Sequence, residues 1–412
     1  MTDQFTKGSA AGWRPSILHA LFVSSCLLTC RPVAALDYQV HGYGAQGFVL
    51  SDGNNVFGDS SHGSVNYYEA GINGSVQLRP DLMFAAQAAI RDAGITDNGV
   101  PRLDYALADY RFLSLINSNA GLRIGQVKNT IGFYNETRDV IFTRPSILLP
   151  SAYGENQGTR SLLFAAPGAQ LYTSTVLGDH ELSLVGTYSR NRGLSVSQKQ
   201  LLISLSGLPF DLRIRDSWNA QIMDSIDGGR WQIAFSRFYA RFALKAPVPV
   251  TPSSAEDLLG NIDVPINFFS VRYNARKFSI TAEYVINTNK DFVTLGGMPY
   301  AVTTFSSDSE YLQAEYRLNP AWHLMARIDT NFLDSGDRSG HRYADVTPGT
   351  DPASRFSYDF TTGINWQHGD HWGVWAEYHW IYGTSVVQLL DNADRTPDDH
   401  WSLFMLMAGY KF

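Results

Sequence analysis

Beyond residue 35, apolar and polar side chains alternate with a period of two, the spacing at which successive residues of an extended strand face opposite ways. In Trp322 to Phe332, one face collects Trp322, Leu324, Ala326, Ile328 and Phe332, and the other His323, Met325, Arg327, Asp329 and Asn331. Phe356, Tyr358, Phe360, Ile364 and Trp366 oppose Ser357, Asp359, Thr361 and Asn365 in the same way. Tyr68 to Leu78 and Phe278 to Ile286 repeat the pattern. In Leu212 to Met223, the set Leu212, Ile214, Trp218, Ala220 and Ile222 opposes Arg213, Arg215, Ser217, Asn219 and Gln221, with Asp216 breaking the apolar face. In Trp231 to Leu244 the two faces exchange near Ser236 and Arg237. The exchange reads as a bulge that keeps Phe238 and Phe242 on the apolar face and Arg237 and Arg241 on the polar one.

The connections alternate in length. Short ones carry turn residues, as in LRPDL, INSNA, VLGDH, RLNPAW and QHGDHW. Long ones run through 51–63, 129–159, 191–210, 244–264, 291–307, 334–353 and 385–400, with a medium one at 93–102. The segments between them make about sixteen strands, an even number with both ends on the short-turn side, the layout of a transmembrane antiparallel β-barrel with tight turns on one side and long loops on the other. The segment 200–207 reads equally as a strand, a helix or part of a loop. A secreted β-sandwich or β-solenoid is the competing all-β reading, but it gives no reason for the alternation of short and long connections and leaves long sheet edges to protect.

Composition agrees with the membrane reading. Charged residues are only 17%, while the chain holds 35 Gly, 21 Tyr and 9 Trp, a mix that suits strands with aromatic girdles. No stretch after residue 35 has the roughly 18 apolar residues that a spanning helix needs, so a membrane location requires a closed barrel. Residues 1–35 read as a signal peptide. Lys7 and Arg14 precede the apolar run ILHALFVSSCLLTC, and Val33 and Ala35 stand at −3 and −1 of a cleavage site before Leu36. Cys26 closes a Val-Ser-Ser-Cys run that offers lipidation as an alternative processing route. Both cysteines lie in this segment, which leaves residues 36–412 without a disulfide. The net charge of −7 and the lack of a dense basic tract exclude a nucleic-acid partner.

The chain ends on HWSLFMLMAGYKF, with Phe404, Leu406, Ala408, Tyr410 and Phe412 on one face and the last two rings at interfacial depth. That ending, the opening YQVHGYGAQGFVL, the leader and the alternation together resemble Gram-negative outer-membrane porins of the sixteen-strand type. The resemblance implies a passive channel in the outer membrane, surrounded by its lipids and lipopolysaccharide, and a terminal Phe read by the barrel-assembly machinery. It also implies a homotrimer, toward which Gly42, Gly44 and Asp216 on otherwise lipid-facing positions point independently. Finally it implies a third external loop, 129–159, folded into the lumen as a constriction. The loop's apolar VIFTRPSILLP suits a packed environment. RIGQVKNTIGFYN is similar to the corresponding region of phosphate-selective and related substrate-preferring porins, although their ligand residues find no position-by-position match.

On that reading the loop contributes Glu136, Arg138, Asp139, Arg144 and Glu155 to the pore. The wall contributes Arg123, Arg213, Arg215, Arg237, Arg241, Arg272 and Arg327 against Glu69, Asp109, Glu283, Glu315, Asp329, Asp359 and Glu377. The arginines cluster on strands eight to ten and the carboxylates on eleven to fifteen, which sets a transverse field and a mild anion preference. The expected cargo is small hydrophilic solutes and ions. The alternatives are a channel selective for a small anion or carboxylate, and a non-conducting structural or adhesion barrel.

Catalysis is not expected, because no GxSxG element accompanies any His, Ser and Asp set. No metal or cofactor is expected either. The acids of DSGDRSGHRYAD miss the alternating spacing of a calcium loop, and the ten histidines show no ligand spacing. His371, His379 and His400 read as interfacial polar groups.

Overall fold

The computed structural model describes residues 37–94, 97–154, 160, 163–194, 199, 210–251, 254–393 and 395–412. The expected signal peptide with Cys26, the segment 200–207 and the pore residue Glu155 lie outside the described residues. Sixteen strands follow one another: β1 (Asp37–Asp52), β2 (Ser64–Arg79), β3 (Leu82–Ala93), β4 (Arg102–Ser114), β5 (Ser118–Lys128), β6 (Ala165–Leu177), β7 (His180–Gly193) and β8 (Asp211–Ile226) form the first half. The second half is β9 (Trp231–Thr251), β10 (Ser254–Asn274), β11 (Phe278–Leu295), β12 (Met298–Arg317), β13 (Trp322–Phe332), β14 (Phe356–His368), β15 (Trp372–Tyr382) and β16 (His400–Lys411). Each strand pairs with its neighbours in sequence, and β16 pairs with β1 to close the cylinder. This is the all-β transmembrane barrel that the alternation predicts, with every strand edge paired, as hydrocarbon demands.

Closure is made at the tail. The Phe412 backbone N–H donates to the Gly42 carbonyl (2.9 Å) and Gly42 N–H to the Phe412 carbonyl (3.1 Å), extending a ladder that runs from Tyr43 opposite Lys411 to Asp52 opposite Ser402. Gly42 is where the Phe412 ring lies, so that a Cβ there would overlap it. A small residue on β1 is therefore the seat of the terminal aromatic.

The outer wall shows two aromatic levels. At the short-turn end stand Trp231 against Tyr273 (4.6 Å between centroids), Trp322 against Trp366 (6.1 Å) and Trp372 against Tyr410 (4.8 Å). At the long-loop end Trp218 stacks on Tyr239 (5.9 Å) and Phe360 on Trp380 (5.5 Å). Between these girdles the exposed positions are apolar, as with Ile222, Phe235, Phe269, Leu312 and Ile328.

Two connections that read as loops prove to be strand extensions. β9 and β10 are each 21 residues long and stay paired up to Thr251 opposite Ser254. That is about twice the 9–11 residues a membrane crossing needs. β11 and β12 likewise meet at Gly296–Gly297, both with positive φ (56° and 83°), the backbone a two-residue hairpin requires. Val248 and Val250 on one hairpin and Val293, Val302 and Thr303 on the other favour pairing, which carries the sheet past the membrane into regions that composition alone assigns to loops.

The bulge of the β8–β9 region sits elsewhere than expected, and four wall arginines move with it. The β9 register runs unbroken through Ser236 and Arg237, from Tyr273 opposite Trp231 to Pro249 opposite Ala255. The irregularity is in β8 at Arg215, between Ile214 and Asp216. As a result Leu212, Ile214, Phe238 and Phe242 face inward in one buried cluster. Arg213, Arg215, Arg237 and Arg241 face outward, so they are not lumen residues. The physical reason is that the inner wall here has an apolar partner, Ile131, Leu149 and Tyr153 from the segment after β5. The outer wall beyond the aromatic level, where Arg213, Arg215 and Arg241 stand, faces headgroups rather than hydrocarbon, and Arg237, just on the membrane side, reaches that level over the Trp218 ring. The rule of polar inside and apolar outside therefore inverts over this stretch.

Replacing Gly42 with Leu is expected to displace the Phe412 ring, at a cost of about 1–3 kcal/mol for overpacking a closed seam. The folded band in heat-modifiable electrophoresis should then convert at a lower temperature, whereas Gly44→Ala, whose Cβ meets only Ala70 at 3.9 Å, should leave the transition unchanged.

Candidate functional site

Inward-facing carboxylates on four strands hold the segment that follows β5. On β2, Glu69 accepts from the Ile141 backbone N–H (2.9 Å) and pairs with Arg144 (2.8 Å). On β11, Glu283 accepts from Phe133 N–H (3.0 Å), Tyr153 Oη (2.5 Å), Ser270 Oγ (2.5 Å) and Tyr311 Oη (2.7 Å). On β13, Asp329 accepts from both the N–H and the Oγ of Ser151, each at 2.7 Å. On β15, Glu377 accepts from Leu148 N–H (3.3 Å) and from Ile147 N–H. All four are buried. A buried carboxylate needs several donors to offset its lost hydration, and backbone N–H groups of an irregular segment need acceptors, so each satisfies the other.

Near β3 to β5 the same segment enters a cluster of buried charges. Asp97, in the connection after β3, pairs with Arg91 (2.9 Å), Arg102 (2.7 Å) and Arg160 (3.0 Å). Asp139 pairs with Arg160 (2.6 Å), Arg102 (3.3 Å) and Lys128 (3.3 Å), and its carbonyl accepts from the Tyr43 hydroxyl. Lys128 also reaches Asp104 (2.8 Å). Burial by itself pushes both the Asp97 and the Asp139 carboxyls up. The surrounding cations, Arg160, Arg102 and Arg91 around Asp97 and Lys128, Arg160 and Arg102 around Asp139, outweigh it and hold both below the usual carboxylate range. Burial, with the Glu283 charge beside it, raises the Tyr153 phenol well above its ordinary value, so Tyr153 stays a donor.

The remaining sequence-predicted residues distribute unevenly. Arg138 is fully buried and donates to Asn135 Oδ1 (3.0 Å) and the Tyr153 carbonyl (2.8 Å). Arg327 is fully buried and donates to Ser146 Oγ (3.2 Å) and the Leu148 carbonyl (3.1 Å). Glu136 is exposed, and Lys128 binds its carbonyl. Arg123 pairs with Asp109 (3.0 Å) over the Tyr172 ring (4.5 Å). Asp359 lies opposite Asp329 in register and binds His379 Nδ1 (2.8 Å). Glu315 accepts from Gln313 (2.9 Å). Arg272 lies over the rings of Phe133 (4.5 Å) and Tyr134 (4.9 Å).

A cavity of about 310 Å³ opens beside that last group, lined among others by Tyr134, Arg144, Arg272, Glu315, Arg317 and Trp375. It reaches toward the short-turn ends of β12 to β14 through Arg317, His323 and Gln367. Among the described residues, neither Arg272 nor Arg317 has a carboxylate within 4 Å, and Trp375 Nε1 has no hydrogen-bond partner. The cavity thus presents two guanidinium groups to whatever fills it, while Trp375 Nε1 is buried in the wall.

His379 was read as an interfacial group; it is instead buried on the inner wall between Asp359 and Glu377. Its place two residues beyond Glu377 on one strand face is the signal that could have found it. Arg91, Asp97, Arg102, Asp104, Lys128 and Arg160 were also missed. Their partners come from four separate chain segments, and no local spacing announces them.

No family model matches the chain, and no match is found among curated proteins. Solved structures do match in fold. An outer membrane channel of Acinetobacter baumannii, DcaP, superposes with a TM-score of 0.54 at 13% identity, covering 94% of this chain and all of that one. An anion-selective porin from Comamonas acidovorans gives 0.53 at 10% identity over 92% of this chain and all of that one. OmpT, an outer membrane protein of Vibrio cholerae, gives 0.53 at 12% over 93% and all. At these identities the likeness is one of fold. The chain is a sixteen-stranded antiparallel barrel similar to Gram-negative outer-membrane barrel proteins, and the outer membrane is its location.

Two outcomes follow from the buried charges. Because the folded carboxyls of Asp97 and Asp139 are depressed, their stabilisation is fully present above the unfolded value near pH 4 and is lost as pH falls through the folded values. A plot of heat-modification temperature against pH should therefore be flat from this source above about pH 5 and fall steeply below about pH 4; Asp139→Asn should shrink that acid limb. Glu69→Gln removes the charge facing Arg144, a loss of about 3–5 kcal/mol for a buried pair. Limited proteolysis should then cut within 129–154 in the variant and not in the parent.

Proposed function

We propose that the protein is a passive diffusion channel for small hydrophilic solutes and ions, with residues 129–159 forming a constriction loop within the lumen. The observation that carries this reading is the set of four wall carboxylates on β2, β11, β13 and β15 that bind backbone N–H groups of 133–151. Contacts on strands so far apart around a cylinder support a path of the segment across its interior. The cavity of about 310 Å³ beside it gives a polar, charged space for hydrated solutes.

The expected ion preference is mildly anionic, and its source differs from the one read from strand alternation. With Arg213, Arg215, Arg237 and Arg241 on the outside, the cations that act on the pore are Arg272 and Arg317, against Glu315. A narrower reading, a channel selective for a small anion or carboxylate, is favoured by the same corner. There Arg272 is fixed over two rings and Arg317 adds a second guanidinium. Assembly is proposed to be trimeric through the Gly- and Ala-rich outer wall of β1 to β5, where an apolar depression is lined by Val40, Gly74, Ala86 and Ala106. The partners are outer-membrane lipids, lipopolysaccharide and, during biogenesis, the barrel-assembly machinery. No hydrolytic activity is proposed, since Asp359 and the hydroxyl of Thr361 both meet the same His379 nitrogen, Nδ1 (2.8 and 3.0 Å), whereas an acid–base–nucleophile relay needs them on opposite ring nitrogens.

Reconstituted in planar bilayers under a salt gradient, the protein should give discrete conductance steps with a reversal potential on the anion side. Arg272→Gln should lower the anion-to-cation permeability ratio about two- to fourfold, the effect of roughly 0.4–0.8 kcal/mol from one charge at about 5–10 Å in water. Conductance that saturates at low concentration of an organic anion supports the selective reading. Folded protein without steps sinks the channel and leaves a non-conducting barrel.

A further inference from the structure

The outer wall of β7 to β10 carries an ordered array of charges that neither pore nor fold requires. Tyr188, Trp218 and Tyr239 are cross-strand neighbours and form one row of the long-loop aromatic level. The next row toward the loops is Arg190, Asp216, Arg241 and Asp263, again direct neighbours. Beyond it stand the bulged Arg215, then Arg213 beside Ala243 and Asn261, then Lys245 beside Asp211. From the membrane side Arg237, opposite Ala220, places its guanidinium 5.9 Å over the Trp218 ring, pointing its charge up toward the array.

Counted over these rows, the cations are Arg190, Arg213, Arg215, Arg237, Arg241 and Lys245, and the anions Asp211, Asp216 and Asp263, with Asp257 paired to Lys245 (2.8 Å). Arg213 is tied to Asp211 (3.0 Å). Arg241 is only loosely set between Asp216 (3.9 Å) and Asp263 (3.8 Å). Among the described residues Arg190, Arg215 and Arg237 have no carboxylate partner. Arg190 bonds the Tyr188 hydroxyl (3.2 Å) and Arg215 the Asn261 amide oxygen (3.3 Å). A depression of about 590 Å³ lies beside Arg190 and Arg215, lined also by Arg213, Lys245 and Asp211.

We propose that this face is a binding site for the phosphate groups of the outer leaflet's anionic glycolipid, with Arg190, Arg215 and Arg237 as its principal donors. Aromatic girdles mark the boundary between hydrocarbon and headgroups, so the row beyond Tyr188, Trp218 and Tyr239 stands at phosphate depth. Guanidinium groups are planar forks that match phosphate oxygens in pairs. A surplus of cations at that depth meets the anionic sign of the leaflet. The Tyr188, Trp218 and Tyr239 rings border these charges on the hydrocarbon side, where a lipid's acyl chains meet apolar partners that a free ion does not use. Position separates the array from the wall proposed for a neighbouring subunit: in the circular strand order β8 and β9 lie halfway round from the β1–β16 seam, so Asp216, expected from sequence to mark a subunit contact, is placed by this proposal in the lipid-facing array. The site depends on the outer-membrane location and is independent of conductance.

Native mass spectrometry of the detergent-purified full chain with diphosphoryl lipid A and with its dephosphorylated form tests the site. The parent should retain the phosphorylated lipid at least about tenfold more strongly, and Arg190→Gln/Arg215→Gln/Arg237→Gln should erase that ratio while keeping the parent's heat-modification temperature. If the triple variant does not assemble, Arg215→Gln alone, at the exposed bulge, should still lower retention severalfold. Equal retention of both lipids by the parent overturns the proposal, as does an unaffected variant. Displacement of the lipid by about 10 mM inorganic phosphate overturns it in favour of a free-anion site. A variant that changes oligomer mass without losing lipid overturns it in favour of a subunit contact.

Discussion

Hydrocarbon offers no hydrogen bonds, so every backbone N–H and C=O that crosses it must find its partner within the protein. The ladder between β1 and β16 is where this requirement is completed, since it alone joins the two ends of a sheet whose other pairings are between sequence neighbours. Much else follows from it. An even strand number puts both ends of the sheet on the short-turn side, and antiparallel closure fixes which face of each strand meets lipid. The close approach of Phe412 to Gly42 shows the seam as a packed joint as well as a hydrogen-bonded one.

A closed barrel of this size leaves an interior that wall side chains alone do not fill. Here residues 131–153, between β5 and β6, pack against and hydrogen-bond to inward-facing wall side chains, so their attachment is chemical as well as steric. Glu69, Glu283, Asp329 and Glu377 accept their backbone N–H groups, while Arg138, Arg144 and Arg327 donate to their carbonyls. The wall charges that composition suggests as an ion-selective lining are therefore in large part structural. Those seven are consumed in holding irregular backbone away from bulk water, four arginines face outward, and Arg272 and Glu315 remain turned to open space, joined there by Arg317.

The interior filling also explains the outer surface. Because Ile131, Leu149 and Tyr153 give the inner wall of β8 to β11 an apolar partner, Leu212, Ile214, Phe238, Phe242 and Phe268 turn inward to meet them. The alternate positions of β8 and β9 are left facing out, beyond the girdle for Arg213, Arg215 and Arg241 and just on its membrane side for Arg237, whose guanidinium reaches over the Trp218 ring. One packing decision inside the barrel thus sets the charge pattern of its outside over those strands, with the Arg215 bulge adjusting the phase between the two regimes.

Strand number, closure and membrane location were legible in the sequence because they depend only on period and on the alternation of short and long connections, which are local properties. Orientation was legible wherever lipid and water were the only two environments, as on β13, where Leu324 and Ile328 face out and Arg327 and Asp329 face in. It failed on β8 and β9, where Arg237 and Phe238 exchange the faces expected of them, because the inner environment there is another piece of chain lying roughly a hundred residues earlier in sequence. The buried cluster of Asp97, Asp104 and Asp139 with Arg91, Arg102, Lys128 and Arg160 was invisible for the same reason. Period two tells which residues share a face; only the tertiary structure decides what that face meets, since burial, pairing and the cost of an unpaired charge are set by neighbours that chain order does not bring together.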